Sequence, residues 1–231
     1  MAAAETARKA QLAAPRVPRS FYEHPPEVVA PRLLGKLLIH RVRGKILAGR
    51  IVEVEAYLGP HNNPPDPASH SHRGPTPRCT VLFGPPGYAY VYTIYGRYFC
   101  LNVSCEPDGV AGGVLFRALE PVAGLEVMAR NRGLGSHAKP SLLTSGPSRL
   151  CQAFGLTRER HNALDFTSPD SPLQILDDGF PVPEPHIDLH ISPRIGLNVA
   201  IDWPLRFSLA GHDCVSGPRR GNGTKPSPAA K

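Results

Sequence analysis

The sequence predicts an α+β fold, a single mixed domain in which short helices flank a curved, mainly antiparallel β-sheet with a protruding β-hairpin. Three observations lead to this prediction. The 27 prolines and 22 glycines fall between apolar runs, as in a chain of many short elements joined by loops. Two pairs of apolar runs surround glycine-containing turns, which is typical of hairpins. The helical patterns are short, and no internal repeat or clear linker divides the chain.

The first predicted elements are a helix and a hairpin. Residues 26–34 (PEVVAPRLL) favour a short helix interrupted by Pro31, and Gly35 supplies a left-handed stop. The apolar runs 36–42 and 46–58 follow, separated by the three residues RGK. This spacing predicts two antiparallel strands joined by a tight turn.

A long loop and a second hairpin come next. Residues 61–78 (HNNPPDPASHSHRGPTPR) hold too many prolines and polar residues for regular structure, and loops of this length are often functional. The runs 88–94 and 98–104 predict a hairpin with Tyr95 at or near its tip.

The rest of the chain predicts strands and helices in alternation. Residues 113–119 (GVLFRAL) favour a strand, and residues 121 to about 131 favour a helix. Residues 145–155 predict a compact helix with Ser145 as its cap, a proline in the first turn and a glycine after its end. The positive N-terminal end of that helix could hold a phosphate. One or two further strands are expected within residues 194–210.

The expected domain spans residues 18–216, between a disordered leader at 1–17 and a disordered basic tail at 217–231. The leader has no long apolar region, so it does not fit a secretory signal. No window approaches the roughly 18 uninterrupted apolar residues of a membrane-spanning helix. We therefore expect a soluble protein with no membrane partner.

Composition favours a globular protein, and the charge is compatible with a polyanionic partner or with a generally arginine-rich composition. A hydrophobic share of 41% is enough for a core. The formal charge of +7 comes mostly from arginine, whose planar guanidinium binds phosphate oxygens in two-point contacts. The five cysteines form no CxxC pair, so we expect reduced thiols and not a disulfide framework.

The run VEVEAYLG at residues 52–59 poses the main functional question. On a strand, Glu53, Glu55 and Tyr57 would share one face, while Val54 and Ala56 would point to the core. The charged face is either open to water or the floor of a cleft. Tyr57 gives that face an aromatic wall, and the strand runs directly into the long loop, so the cleft is favoured.

Three other features allow two explanations each. His61, His70 and His72 could bind a metal, but loop histidines more often form hydrogen bonds or stack, and no HExxH or cysteine pair supports zinc. Tyr95 breaks the alternation of the second hairpin, so it could pack or push into stacked bases. Arg117 interrupts an apolar run and needs an anionic partner, either a structural glutamate or a group of the site.

Seven blocks of the sequence, taken in order and spacing, resemble the alkyladenine (3-methyladenine) DNA glycosylase family. The blocks are EVEAYLG (53–59), DPASH (66–70), GPTPR (74–78), YVYTIYG (90–96), NV (102–103), LFRALEP (115–121) and SGPS (145–148). The resemblance runs from about residue 33 to about residue 209, and the seven blocks together make it specific.

The resemblance implies an enzyme that removes alkylated and deaminated purines from duplex DNA without a metal or cofactor. The base is flipped out, and hydrolysis of the N-glycosidic bond leaves an abasic site. Glu55 is implied as the general base that activates the attacking water, with Glu53 as a supporting residue. Arg117 is implied as the residue that helps hold that water and the nearby phosphate.

The remaining roles that follow from the resemblance concern the base and the DNA. The base pocket is expected to contain Tyr57, His70, Tyr92, Asn102 and Leu115, with Asn102 discriminating against the exocyclic amine of guanine. DNA contacts are expected from Tyr95 as a wedge in the vacated stack, and from Arg97, Ser148 and Arg149 on the DNA backbone. Arg97 departs from the family pattern, in which an apolar residue commonly follows the wedge glycine.

The expected partner is double-stranded DNA that contains damaged purines, bound by a monomer in a bacterial cytoplasm, or in a nucleus if the host is eukaryotic. A non-catalytic binder of damaged or structured nucleic acid remains the main alternative. A metal-dependent hydrolase built on the loop histidines, and a glycoside hydrolase that uses Glu53 and Glu55 as a pair, are further alternatives. The last is disfavoured because neighbours on one strand face poorly straddle a scissile bond.

Overall fold

The computed structural model describes residues 11–181, 183 and 187–217. The strands described are β1 (Leu37–Val42), β2 (Lys45–Tyr57), β3 (Ala89–Ile94), β4 (Tyr98–Cys105), β5 (Gly112–Ala123), β6 (Leu173–Leu176), β7 (Leu189–Ser192) and β8 (Arg206–Leu209). The helices described are α1 (Pro26–Leu33), α2 (Leu125–Asn131), α3 (Pro140–Thr144), α4 (Pro147–Phe154) and α5 (Arg158–His161). Short 3-10 turns cover Arg19–Phe21 and Thr80–Phe83.

The strands form one curled antiparallel sheet. Its main path runs β3-β4-β5-β2-β1-β6. The long strand β2 pairs with β5 on one side, while on its other side it pairs first with β1 and then with β8. Strand β7 adds to the outer edge of β8. The predicted α+β class with a curved antiparallel sheet and short helices is confirmed.

Both predicted hairpins are present, and backbone geometry explains their turns. Arg43 and Gly44 join β1 to β2 with φ angles of 49° and 69°, which is the left-handed geometry that two-residue hairpin turns require. Tyr95 and Gly96 lie in the turn between β3 and β4 with φ angles of 49° and 70°. Tyr95 is 88% exposed, so the tip of the second hairpin presents its ring to solvent.

The two faces of the sheet differ in chemistry. Apolar residues of alternate positions, such as Val54, Ala56 and Phe116, join the main core together with α1 and α4. The opposite positions of the same strands carry Glu53, Glu55 and Arg117. The predicted separation of β2 into a core face and a polar face is therefore confirmed.

A pair of β-bulges bends the sheet where β2 meets β5. The register passes from Ile51↔Leu119 to Glu53↔Ala118 and then to Val54↔Phe116, so Val52 and Arg117 each stand without a direct partner across this ladder. Bulges bend a strand and redirect its side chains. This bulge directs Arg117 toward the acids of β2.

Two predicted elements have different bounds or caps. Residues 121–123, expected as the start of a helix, continue strand β5, and the helix begins only at Leu125 after Gly124 with φ 79°. The helix expected at 145–155 is α4, but Gly146 is its N-cap, and Ser145 does not cap it. The Ser145 hydroxyl instead donates to the Cys214 carbonyl at 2.6 Å, so it ties the C-terminal segment to the helix.

Residues just before the expected domain start contact the sheet. Arg16 forms a bridge with Leu176, the Val17 N–H donates to the Ile175 carbonyl at 2.9 Å, and Val17 is 1% exposed. The backbone of residues 15–17, at the end of the expected leader, therefore pairs with the edge strand β6. Residues 1–10 of the leader and 218–231 of the basic tail lie outside the described residues.

No helix in the described part of the chain is long and apolar enough to cross a bilayer. The five cysteines are buried, and no disulfide joins any two of them.

Candidate active site

Four neighbouring strands bring the candidate residues into one row. Tyr90 pairs with Asn102, Asn102 with Leu115, and Leu115 with Glu55. Residues that are directly opposite in neighbouring strands point to the same face and lie close together. The sheet register therefore assembles side chains that are far apart in the sequence around Glu55.

The Glu55 carboxylate is surrounded by donors. Its Oε1 accepts a hydrogen bond from the Ile195 backbone N–H at 2.8 Å and lies 3.1 Å from Nη1 of Arg117. Its Oε2 accepts from the Tyr57 hydroxyl at 3.0 Å. Glu55 has no exposed surface in this structure, so the view of this face as open to water is wrong.

Glu53, two residues before Glu55 on β2, is the centre of a second group of contacts. Its Oε1 accepts from Nε of Arg117 at 2.9 Å and from Nε of Arg206 at 2.7 Å. The Ser216 backbone N–H donates to Oε2 of Glu53 at 2.6 Å, and the Ser216 hydroxyl donates to Oε1 at 3.0 Å. Glu53 thus supports Arg117 and ties down the C-terminal segment, and it does not face the cleft as a second acid.

Arg117 stands between the two glutamates. Burial lowers the pKa of its guanidinium, but the charges of Glu55 and Glu53 outweigh burial and leave this pKa above its ordinary value. Its backbone carbonyl also accepts from the Gly146 N–H at 3.0 Å, which connects the site to the start of α4. The need of Arg117 for an anionic partner is met by both acids.

Aromatic rings lie close to one another on the strands and the loop near Glu55. The His70 ring lies edge-on to Tyr92 with 4.6 Å between ring centroids, and its Nδ1 is 2.9 Å from the Tyr90 hydroxyl. The Arg78 guanidinium lies 5.5 Å from the centre of the Tyr92 ring. Burial raises the pKa of Tyr92, and the nearby Cys100 and Tyr57 add to that rise. The rings of His70, Tyr90 and Tyr92 form one cluster.

His70 is neutral at physiological pH. Partial burial of its ring, followed by the positive charge of Arg78, lowers the pKa of His70 to about 4. The residue as a whole is exposed to solvent, while the edge that bears Nδ1 packs against the tyrosines. A neutral imidazole can donate and accept hydrogen bonds without adding positive charge to the pocket.

Asn102 and Leu115 lie deeper than pocket walls. They are 5% and 3% exposed, and the Asn102 side-chain amide donates to the Tyr90 carbonyl at 3.1 Å. This hydrogen bond fixes the orientation of the amide, since a carbonyl can only accept. Both residues lie in the row that holds Glu55.

The candidate DNA-backbone residues lie near the hairpin. Arg97 is exposed, and its guanidinium lies 4.8 Å from the centre of the Tyr98 ring. Arg97 and Ser148 line the same cavity of about 260 Å3 between the hairpin and α4. Arg149 is exposed on the first turn of α4. The structure therefore places these three side chains on a surface beside the hairpin that carries Tyr95.

The loop histidines have separate partners. Nε2 of His61 lies 3.1 Å from Oε1 of Glu106, whereas His70 contacts Tyr90. Within the described residues, no group of three or more histidines, cysteines or acids is arranged to hold a metal ion. The alternative of a metal site built from His61, His70 and His72 gains no support from this arrangement.

Sequence reasoning missed the buried arginines that complete the site. Arg194 pairs with Asp66 at 2.5 Å and lies 4.6 Å from the centre of the Tyr57 ring, and Arg206 pairs with Glu53. Burial of an arginine is not visible in a sequence, because its partner comes from a distant segment. The apolar surroundings of Arg206 (PLRFSL) resemble those of Arg117 and were the one available signal.

The family model of methylpurine-DNA glycosylase matches residues 20–213. A relative from Koribacter versatilis (strain Ellin345), provisionally named a 3-methyladenine DNA glycosylase, is 54% identical over 210 residues, which cover 91% of this chain and 96% of the relative. Relatives with the same provisional name from Burkholderia lata and Nitrobacter winogradskyi are 45% and 46% identical, over 87% and 89% of this chain and 91% and 89% of their own lengths. The chain therefore belongs to the methylpurine-DNA glycosylase family and is a DNA repair enzyme that hydrolyses N-glycosyl bonds.

Proposed function

We propose that this enzyme extrudes damaged purines from double-stranded DNA and hydrolyses their N-glycosidic bond with a water activated by Glu55, leaving an abasic site. The observation that carries the proposal is the position of the Glu55 carboxylate. It lies in one row with Leu115, Asn102 and Tyr90, next to a cluster of aromatic rings. The hairpin that supplies Tyr90 also carries the exposed Tyr95.

Extrusion is required because an enzyme cannot reach the glycosidic bond of a stacked base. Unstacking costs a few kcal/mol, and less for a damaged base that stacks or pairs poorly. Tyr95, exposed at the hairpin tip, fills the gap that the base leaves and offsets part of that cost. Arg97, Ser148 and Arg149 hold the DNA backbone next to it.

The aromatic cluster explains a preference for alkylated purines. N-alkylation makes the ring cationic, and the faces of Tyr57 and Tyr92 attract a cation by about 0.5–2 kcal/mol. His70 adds no opposing charge, because its pKa of about 4 leaves it neutral. We assign to Asn102 the discrimination against guanine, because its amide has a second N–H besides the one that donates to the Tyr90 carbonyl. Deaminated purines such as hypoxanthine lack the positive charge and depend more on these hydrogen bonds.

Glu55 is placed to act on the water and on the sugar. An ionised carboxylate has about four acceptor positions. The hydrogen bonds from Ile195 and Tyr57 occupy two of them, and the Arg117 cation lies 3.1 Å from Oε1, so a position remains for a water proton. The negative charge also stabilises the positive charge that develops on the sugar ring in the transition state. For a cationic base, which is a good leaving group, one activated water suffices.

The full burial of Glu55 requires a rearrangement when the substrate enters. The Tyr57 hydroxyl covers Oε2 of Glu55, and Tyr57 is partly exposed. We propose that the incoming nucleotide turns this hydroxyl away and admits the water. We propose that the enzyme acts as a monomer on chromosomal DNA in the cytoplasm of a bacterial cell.

The burial of Glu55 is also the observation that favours the second candidate, a binder of damaged DNA without catalysis. The two candidates differ in base release. The enzyme is incubated in chelator with duplexes that carry one hypoxanthine, one ethenoadenine or one methylated purine, followed by alkali. Strand cleavage at the lesion supports the glycosylase, whereas lesion binding without cleavage on all three duplexes supports the binder.

A further inference from the structure

The strongest unassigned feature of the site is a fully buried ion pair, Asp66–Arg194. Nη1 of Arg194 donates to Oδ2 of Asp66 at 2.5 Å, and Nη2 donates to Oδ1 at 2.9 Å. Neither side chain has exposed surface. A two-point contact of this kind fixes the rotation of both side chains, which an apolar pair cannot do.

The pair joins three segments of the chain around the proposed catalytic carboxylate. Nη1 of Arg194 also donates to the Ala56 carbonyl at 3.0 Å, beside Glu55 in β2. Asp66 accepts from the Leu58 N–H at 3.1 Å at the end of β2. The next residue after Arg194 is Ile195, whose N–H donates to Glu55.

The same pair also supports the pocket walls. The Arg194 guanidinium lies over the Tyr57 ring, 4.6 Å from its centre, so it packs against the ring and limits its movement. Asp66 accepts from the Ala68 N–H at 3.0 Å, which holds the loop that leads to His70. That loop has no regular structure of its own, and its position depends on such contacts.

Stability alone does not account for a pair of this kind. Replacing a buried ion pair with apolar residues of similar volume is often neutral or stabilising. The contacts of Asp66 and Arg194 converge instead on the groups that touch Glu55. We propose that the Asp66–Arg194 pair is a positioning device that holds the Ile195 N–H and the Tyr57 ring in the geometry that base release requires.

This inference rests on the proposed function and deepens it. A displacement of about 1 Å at a catalytic group can cost about 100-fold in rate. The exposed residues proposed to grip the DNA, Tyr95 and Arg97, lie on the hairpin and have no direct contact with the pair. Loss of the pair therefore reduces the rate of base release while DNA affinity remains.

The test compares Asp66→Asn with Asp178→Asn as a matched control. Asp178 forms a similar two-point pair, with Arg50 at 2.8 and 3.0 Å, in which the two side chains are 7% and 9% exposed, and Arg50 lies 4.5 Å from the centre of the Phe180 ring. Both variants lose one carboxylate charge beside a buried arginine. The control lies on the far side of the sheet path, next to β1, and has no assigned role in the site.

The single-turnover rate of base release and the dissociation constant for a lesion duplex are measured for both variants. Asp66→Asn is expected to lower the rate by about 100-fold and to leave the dissociation constant nearly unchanged, because the residues proposed to grip the DNA are not altered. Asp178→Asn is expected to keep the wild-type rate. Equal rates for the two variants would overturn the inference.

Two further measurements keep the inference testable if Asp66→Asn folds poorly or if the wild type releases no base. Arg194→Lys keeps the positive charge but loses the planar guanidinium that makes the two-point contact, so the variant should fold but release base at least tenfold more slowly than the wild type. A wild-type rate for Arg194→Lys would overturn the role of the two-point contact. Hydrogen exchange of the Ile195 amide should be faster in Asp66→Asn and unchanged in Asp178→Asn. Unchanged exchange in both overturns the inference, whereas an inactive wild type overturns only the proposed function.

Discussion

Nε of Arg117 lies 2.9 Å from Oε1 of Glu53, inside the bend that the bulges make between β2 and β5. The same guanidinium reaches Glu55 through Nη1 at 3.1 Å. Arg117 therefore has its orientation set by one glutamate while its charge acts on the other. Two acids two residues apart therefore have different surroundings, which is the basis for the different roles that we propose for them.

Replacing Glu53 with glutamine is expected to destabilise the fold. Glu53 is the buried acceptor for both Arg117 and Arg206, and removing one partner of a buried ion pair typically costs about 3–5 kcal/mol. Urea unfolding at pH 7 measures the loss. Glu120→Gln is the control, because the Glu120 side chain is 45% exposed and its loss should cost about 0.5 kcal/mol or less. Equal stabilities for the two variants would contradict the assignment.

Glu55→Gln tests the chemistry and not the fold. Glutamine has the shape of glutamate and can still accept from Ile195 or Tyr57, but it cannot take a proton from water. We expect the rate of base release to fall by about 1,000-fold, as for the loss of a general base, while lesion DNA still binds. Gel-shift binding and single-turnover cleavage on the same hypoxanthine duplex separate the two effects. A Glu55→Gln variant with the wild-type rate would exclude this residue as the base.

Tyr95→Ala tests the proposed wedge. The Tyr95 ring is 88% exposed, so its removal should leave thermal stability nearly unchanged. Stacking of a base on an aromatic ring is worth about 1–3 kcal/mol, and we expect base release to slow by about 10- to 100-fold. Tyr95→Phe keeps the ring and should release base at the wild-type rate.

The matched control for Tyr95 is Val28→Ala, which shortens another exposed apolar side chain, on α1. A 2-aminopurine placed beside the lesion reports extrusion, because it becomes brighter when it loses its stacking neighbour. The wedge role is wrong if Tyr95→Ala and Val28→Ala give the same fluorescence change and the same rate.

Local patterns predicted the hairpins and the face of β2, because both depend on near neighbours. The alternation of Glu53, Glu55 and Tyr57 placed them on one side, and the turn glycines marked both hairpins. The burial of that face was not predictable in the same way. It depends on Arg117 and Arg206, which lie 64 and 153 positions after Glu53.

The missing parts of the site share this cause. Ile195 is 140 positions from Glu55, and its contribution is a backbone N–H, which every residue except proline possesses. The resemblance supplied candidates that spacing alone did not, such as Asn102, and the strand register then brought Asn102 and Glu55 into one row. The serine cap failed because Ser145 has a tertiary partner, Cys214, that a local rule cannot include.

Acid should destabilise the fold through His40, which caps the helix next to the proposed DNA surface. His40 is 3% exposed, and its Nδ1 lies 2.8 Å from the carbonyl of Phe154 at the end of α4. Since a carbonyl only accepts, Nδ1 carries the proton. Burial, and then the neighbouring His161, lower the pKa of His40 to about 4, although the hydrogen bond to Phe154 opposes this.

The direction of the pH effect follows from the lowered pKa of His40. Between pH 6.5 and about 4 the unfolded chain binds a proton at this residue and the folded chain does not, so stability falls as the pH is lowered through that range. The slope is about 1.4 kcal/mol per pH unit for one proton, and about 3 kcal/mol is lost over the whole range. His40→Gln keeps a donor for Phe154 but cannot titrate. Urea unfolding at several pH values should show a shallower slope for His40→Gln than for the wild type, and parallel slopes would show that His40 titrates normally.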